Sequence, residues 1–151
     1  MLRAVLIANP SASQFTGGVF RHVTTILGNT FDLTTEWPIS PSDTASTTRK
    51  AVEEGIDVVF AMGGDGVAHH VANGLAESDT ALGLIPVGTT NVLARILGIP
   101  SKPEKAAAMA VDLDPRPTRM VRIAAHTPLG PMIRYATFSI GVGFDADVVE
   151  A

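Results

Sequence analysis

A chain of 151 residues is one domain of ordinary size, or one with the start of a second, and 46% hydrophobic against 17% charged residues suits a compact α/β protein, not a disordered one. A formal net charge of -4 with no Lys/Arg block excludes a general nucleic-acid binder, which needs clustered cations to release counterions from a phosphate backbone. Without cysteine there is neither a disulfide framework nor a thiolate metal site, a composition compatible with a reducing, cytoplasmic setting.

Met1 to Ala8 is apolar but only of strand length, and it runs into Asn9-Pro10 without a cleavage pattern, so no leader is expected. Ala4 to Ala8 is the first predicted strand, stopped by the turn Asn9-Pro10-Ser11-Ala12-Ser13. After a flexible Gly17-Gly18, the residues Val19, Val23, Ile26 and Leu27 recur at helical spacing, and Gly28-Asn29 supplies the stop. Phe31 to Trp37 suits a second strand. Ser40-Pro41-Ser42-Asp43 then makes a turn, and a helix runs through Ala51, Val52 and Glu54 to Gly55. Val58 to Met62 is continuously apolar, the pattern of a parallel strand covered on both faces. Gly63, Gly64 and Gly66 follow it, and a helix continues through Val67, Val71, Ala72 and Leu75. Leu82 to Val87 is a further buried strand, broken by Gly88-Thr89-Thr90-Asn91 before an apolar helix of Leu93, Ala94, Ile96 and Leu97 that ends at Gly98-Ile99-Pro100. Glu104 to Val111 is a small alanine-rich helix. The alternation predicts an α/β fold over residues 1–113, a doubly wound parallel sheet with right-handed crossovers.

From Asp114 the pattern changes. Asp114-Pro115-Arg116-Pro117 is a stiff connector, and Arg119 to Ala125 with Ile133 to Val142 flank a Pro128 to Pro131 turn as a hairpin. A lone hairpin is marginal, so residues 119–151 are expected to begin a second, β-rich domain whose remainder lies beyond Ala151. No segment is long enough to cross a bilayer, so any membrane contact is expected to be peripheral.

The loops Asn9 to Ser13, Gly63 to Gly66 and Gly88 to Asn91 all follow carboxyl ends of predicted parallel strands, the edge where open α/β sheets bind ligands. They offer backbone amides, small hydroxyls and one carboxylate, a set suited to nucleotide phosphates. Neither a Walker loop nor a dinucleotide fingerprint is present. Asp65 would repel a bare phosphate, so it requires a bridging cation such as Mg²⁺, a hydrogen bond to a hydroxyl, or a capping role at the turn. His69 and His70 are adjacent on a helix and point in different directions; one is expected at the surface and the other packed or near the nucleotide. His22 and His126 have no partner at ligand spacing. Arg95, one turn after Asn91, is within reach of a phosphate, although a surface position is the commoner outcome.

Asn9-Pro10, Gly63-Gly64-Asp65-Gly66, Asn73-Gly74, Ile85-Pro86-Val87-Gly88-Thr89-Thr90-Asn91, Leu93-Ala94-Arg95 and Leu97-Gly98-Ile99-Pro100 occur in an order that closely resembles the diacylglycerol kinase catalytic domain. Bacterial lipid kinases and sphingosine kinases share that domain, and NAD kinases have a related fold. Gly141 to Ala146, with Asp145, resembles the family's entry into its second domain. The resemblance implies transfer of the γ-phosphoryl group of ATP, with Mg²⁺, to the hydroxyl of diacylglycerol or a similar lipid alcohol. It implies that Asn9, Pro10, Ser11, Ala12 and Ser13 line the nucleotide, that Gly63, Gly64, Asp65, Gly66 and Val67 hold its phosphates, and that Gly88, Thr89 and Asn91 meet it from the neighbouring loop. Asp65 is the implied catalytic and Mg²⁺-organising carboxylate. The family's Gly-Gly-Asp-Gly-Thr and following Asn-Glu are here interrupted by Val67 and by His69-His70, and Val92 stands where an aspartate is usual. The general base is implied beyond Ala151. Peripheral membrane contact is implied as well, a homodimer is left open, and no nucleic-acid partner is expected. A nucleotide-binding module without turnover, or a kinase of a soluble substrate such as NAD, is the alternative.

Overall fold

Strands that are apolar on both faces require cover on both faces, and the sequence supplies helices for each. The computed structural model describes residues 1–112 and 114–139. Strands β1 (Leu2–Ala8), β2 (Phe31–Glu36), β3 (Val58–Gly63) and β4 (Ala81–Pro86) form one parallel sheet in the order β2-β1-β3-β4. All of β3 is buried, as is β1 from Ala4 onward. Side chains alternate along each strand, so Ala4, Leu6, Phe60, Met62 and Ile85 face α1 (Gly17–Gly28) and α5 (Pro103–Asp112). Val5, Ile7, Val59, Ala61 and Leu84 face the opposite way, toward α2 (Pro41–Glu53), α3 (Asp65–Leu75) and α4 (Val92–Ile96). The doubly wound α/β expectation therefore stands.

The chain leaves β1 for β2 on one side, then returns through α2 to β3 on the other side of β1. That reversal is the topological switch point, where the crossovers diverge and leave a crevice at the strand ends. Register makes the crevice level: Ala8 lies opposite Met62, and Gly63 opposite Pro86, so the loops after β1, β3 and β4 leave the sheet on one rim.

Two helix starts differ from expectation. Gly17-Gly18 is the first turn of α1, because the Thr16 hydroxyl accepts the Val19 N–H at 3.1 Å and initiates the helix before the apolar pattern shows it. Ser40 to Asp43 is likewise the opening turn of α2: Ser40 Oγ accepts the Asp43 N–H at 3.1 Å, Pro41 occupies the first turn, and Asp43 Oδ2 accepts the Ile39 N–H at 2.9 Å.

The chain divides into two compact units, Met1–Pro117 and one that begins at Thr118. In the second, β5 (Val121–Thr127) and β6 (Gly130–Ala136) pair antiparallel with Thr127 opposite Gly130. The strands sit at different residues from those expected, because the bend is confined to Pro128 and Leu129 and Pro131 is already in β6. Thr127 Oγ1 closes the bend, donating to the Gly130 carbonyl at 2.9 Å and accepting the Leu129 N–H at 3.2 Å. The expected segment Gly141 to Ala146, with Asp145, lies outside the described residues.

Helices α2 and α3 pack closely because Gly74 has no side chain: a Cβ there would lie 2.5 Å from Thr48 Cβ, and Thr48 is fully buried with its hydroxyl bonded to the Thr44 carbonyl at 2.7 Å. Gly74→Ala should therefore lose about 1–3 kcal/mol through overpacking, despite the better helix propensity of alanine. Urea unfolding checks this; an unchanged or raised midpoint would show that the two helices separate at no cost.

Candidate functional site

The loops on the rim are tied to one another by the backbone. Asn9 N–H donates to the Met62 carbonyl at 3.0 Å, extending β1–β3 pairing by one residue, and Asn9 Oδ1 accepts the Ser11 N–H at 3.0 Å in a side-chain-closed turn. The chain then crosses the end of β3. Gln14 N–H donates to the Val87 carbonyl at 2.9 Å, and the hydroxyls of Ser13 and Thr89 share a hydrogen bond at 3.0 Å. From β3 to β4 the link is Val87 N–H to the Gly63 carbonyl at 3.0 Å, and just beyond it Gly64 and Gly88 meet backbone to backbone. A Cβ on Gly88 would lie 2.5 Å from the Gly64 Cα, so only glycine allows this approach.

Helix α3 begins at Asp65 with Gly64 as its N-cap, and no side chain caps it. Its first amides have no carbonyl within the helix and carry the positive end of the helix dipole, which favours an anion at this end. Asp65 is half-buried, and its Oδ1 accepts the Leu93 N–H at 3.0 Å, so the carboxylate caps α4 across the rim. Of the roles open to it from sequence, a capping role is thus present, on a neighbouring helix and not on its own turn. Asn91 has a left-handed backbone (φ 50°), and its side chain both accepts the Gly88 N–H at 3.1 Å and donates to the Gly88 carbonyl at 2.8 Å. That side chain shapes its own loop. Val67 packs over Gly63, where a Cβ would lie 2.6 Å from Val67 Cβ. Pro10, Ser11, Ser13, Gly66 and Thr89 are exposed along the rim, and Ala12 is half-buried against the core on the α1 side.

A cleft of about 260 Å³ opens at the switch point. Ile7, Ala8 and Asn9 form its floor, Gly66, Val67 and His70 one wall, and Pro38 to Pro41 with Thr44 the other. His70 lines the cleft, but neither histidine is at the surface as one was expected to be: both are half-buried, and their rings meet edge to face at 5.1 Å instead of pointing apart, while Arg95 is exposed. The second wall is absent from the sequence reading, where Ser40-Pro41 stood only for a turn. The Ser40-x-x-Asp43 capping pattern at a helix start beside the switch point, with Ser40 Oγ accepting from Asp43 N–H and Asp43 Oδ2 from Ile39 N–H, is the signal that would have found it.

Among the described residues no group of three or more His, Cys, Asp or Glu side chains is placed to hold a metal ion. Asp65 has one oxygen engaged by Leu93, so a magnesium ion here would take most of its ligands from phosphate oxygens and water. Mg²⁺ tolerates that arrangement well, since it keeps several waters and is commonly held by one or two carboxylates plus phosphates.

Residues 3–123 match the diacylglycerol kinase catalytic domain. A diacylglycerol kinase of Bacillus subtilis (strain 168) is 36% identical over 118 residues, which are 74% of this chain and 38% of that protein. A probable YegS-like lipid kinase of Stenotrophomonas maltophilia is 37% identical over 82 residues, 50% of this chain and 26% of that protein. The crystal structure of a diacylglycerol kinase from Bacillus anthracis superposes with a TM-score of 0.68 at 29% identity, covering 73% of this chain and 42% of that one. The chain spans well under half the length of these relatives.

The Asp65–Leu93 bond separates structure from charge. Asp65→Ala should destabilise the protein by about 1 kcal/mol through loss of the α4 cap, whereas Asp65→Asn keeps an oxygen acceptor and should stay within about 0.5 kcal/mol of the parent. Denaturant unfolding of both variants checks this; equal losses would show that the charge, not the acceptor, supports α4.

Proposed function

Because the chain belongs to the diacylglycerol kinase catalytic domain family, we propose that it is the nucleotide-binding part of an ATP-dependent lipid kinase that transfers the γ-phosphoryl group to the hydroxyl of diacylglycerol or a similar lipid. The observation that carries this reading is the joined rim, where the β1, β3 and β4 exits are bonded together around the start of α3. Phosphates fit the α3 amides at Gly64 to Gly66, the exposed Ser11, Ser13 and Thr89 hydroxyls border them, and the cleft lined by Ile7, Asn9, Pro38 and Val67 suits the nucleoside. Asp65 would be the residue that holds Mg²⁺ beside the phosphates. When bound, the ion supplies neutralisation of the charge that spreads over the transferred group.

In phosphoryl transfer the protein chiefly positions groups and offsets charge, and a rim of fixed amides does both. We assign the base that takes the lipid hydroxyl proton to a group outside the described residues. Peripheral membrane contact and a cytoplasmic setting belong to the same proposal; among the described residues no helix is long and apolar enough to cross a membrane. One observation favours a second reading, nucleotide binding without turnover: Val67, packed over Gly63 at the start of α3, offers no hydroxyl to a phosphate.

The test is phosphate transfer from labelled ATP to dioleoylglycerol in mixed micelles with Mg²⁺, using the full-length protein. Phosphatidic acid is the expected product, with loss on chelation of Mg²⁺ and a drop of roughly 100-fold or more in Asp65→Asn. Nucleotide binding with no transfer to any lipid alcohol would leave the second reading, and transfer to NAD in its place would overturn the lipid assignment.

A further inference from the structure

Gln14 lies at the far end of the first loop and makes two bonds to the exit of β4, 73 and 74 positions away in sequence. Its N–H donates to the Val87 carbonyl at 2.9 Å, and its side-chain Nε2 donates to the Gly88 carbonyl at 2.8 Å. The same Gly88 carbonyl accepts from Asn91 Nδ2 at 2.8 Å, so both of its lone pairs are engaged, one from each side of the rim. A carbonyl held by two donors cannot swing. Because the peptide unit is planar and trans, fixing the Gly88 carbonyl also fixes the opposed N–H of Thr89, on an exposed residue of the rim.

We infer that Gln14 is a positioning residue for nucleotide phosphate: with Asn91 it locks the Gly88–Thr89 peptide beside the start of α3, so that the Thr89 amide is set before the ligand arrives. The inference rests on the nucleotide site proposed above and adds to it a residue that touches only the loop. Gln14 is exposed, so exchanging its side chain leaves no cavity, and the Gln14 N–H to Val87 bond survives any substitution other than proline. The pairing is specific to a donor at this position. A side chain of the same length without one leaves the Gly88 carbonyl held from one side only.

The test compares Gln14→Met, of similar length with no donor, and Gln14→Glu, of the same shape but acceptor only and facing the Gly88 oxygen. Dissociation constants for ATP, ADP and adenosine are measured by calorimetry on the 151-residue chain, together with the thermal midpoint and the NMR backbone order parameter of Thr89 in nucleotide-free protein. In both variants ATP and ADP should bind roughly tenfold more weakly, adenosine should stay within about twofold, and the order parameter of the Thr89 amide should fall. The midpoint should hold within about 2 °C, which a residue acting only on stability would move. Parent-like ATP affinity, equal losses for ATP and adenosine, or an unchanged Thr89 order parameter would each overturn the inference while leaving the nucleotide site intact. A parent chain that binds none of the three ligands would overturn both.

Discussion

Gly64 and Gly88 touch with nothing between them but backbone, and the geometry of the rim depends on that contact. Neighbouring strands of a sheet lie a little under 5 Å apart, and the chains leaving β3 and β4 stay about that close because Gly88 carries no Cβ at the point of departure. Any side chain on Gly88 would have to displace the Gly64 backbone, which has nowhere to go, since the Val87 N–H is bonded to the Gly63 carbonyl immediately before it. Closeness here has a chemical consequence. Helix α3 starts at the rim without an intervening loop, so its unpaired amides stand beside the β4 exit and not behind a side chain.

Asp65 shows how one carboxylate can serve the fold and still be available to a ligand. Helix α4 has five residues, far too few to be stable alone, and it begins at an Asn91 whose own side chain is turned back to Gly88. Its N-terminal cap is therefore borrowed from α3, through Asp65 Oδ1 and the Leu93 N–H. The bond fixes the orientation of the carboxylate, which a side chain at a helix start would otherwise lose to rotation. A ligand bound at the rim as proposed would meet an already oriented group, and less ordering would remain to be done.

Much of the sheet was legible in the sequence because β3 is apolar on both faces and β4 is apolar and closed by Pro86 with Gly88 just beyond, signals that lie within a few residues. The glycine turns identified the rim for the same reason. What was not legible depends on contacts distant in sequence. Gln14 looks like an ordinary loop residue, and its role follows from a carbonyl 74 positions away, a separation no local pattern encodes. The wall made by Pro38 to Pro41 looks like a connector, and it becomes part of a cleft only when α2 returns the chain to the other side of β1. Thr16 hid the start of α1, since a capping hydroxyl makes two glycines helical where their propensity argues for a loop.

The first loop is fixed at its far end by contacts to two different strands, and this explains how a segment so exposed keeps one shape. At one end Gln14 and Ser13 are bonded to the β4 exit. One residue later Phe15 enters an aromatic cluster, its ring 6.0 Å from those of Phe20 and Trp37, with Phe20 and Trp37 only 4.9 Å apart. Trp37 follows directly on β2, so the loop is anchored at the two outermost strands, β2 and β4, while it passes over the ends of β1 and β3 between them. Aromatic pairs of this geometry contribute about 0.5–1.5 kcal/mol beyond their buried area, and a hydrogen bond about 0.5–1.5 kcal/mol. Each is modest alone. Acting on consecutive residues, Ser13 to Phe15, they restrict the same few backbone torsions, so the entropy of ordering that segment is offset by folding.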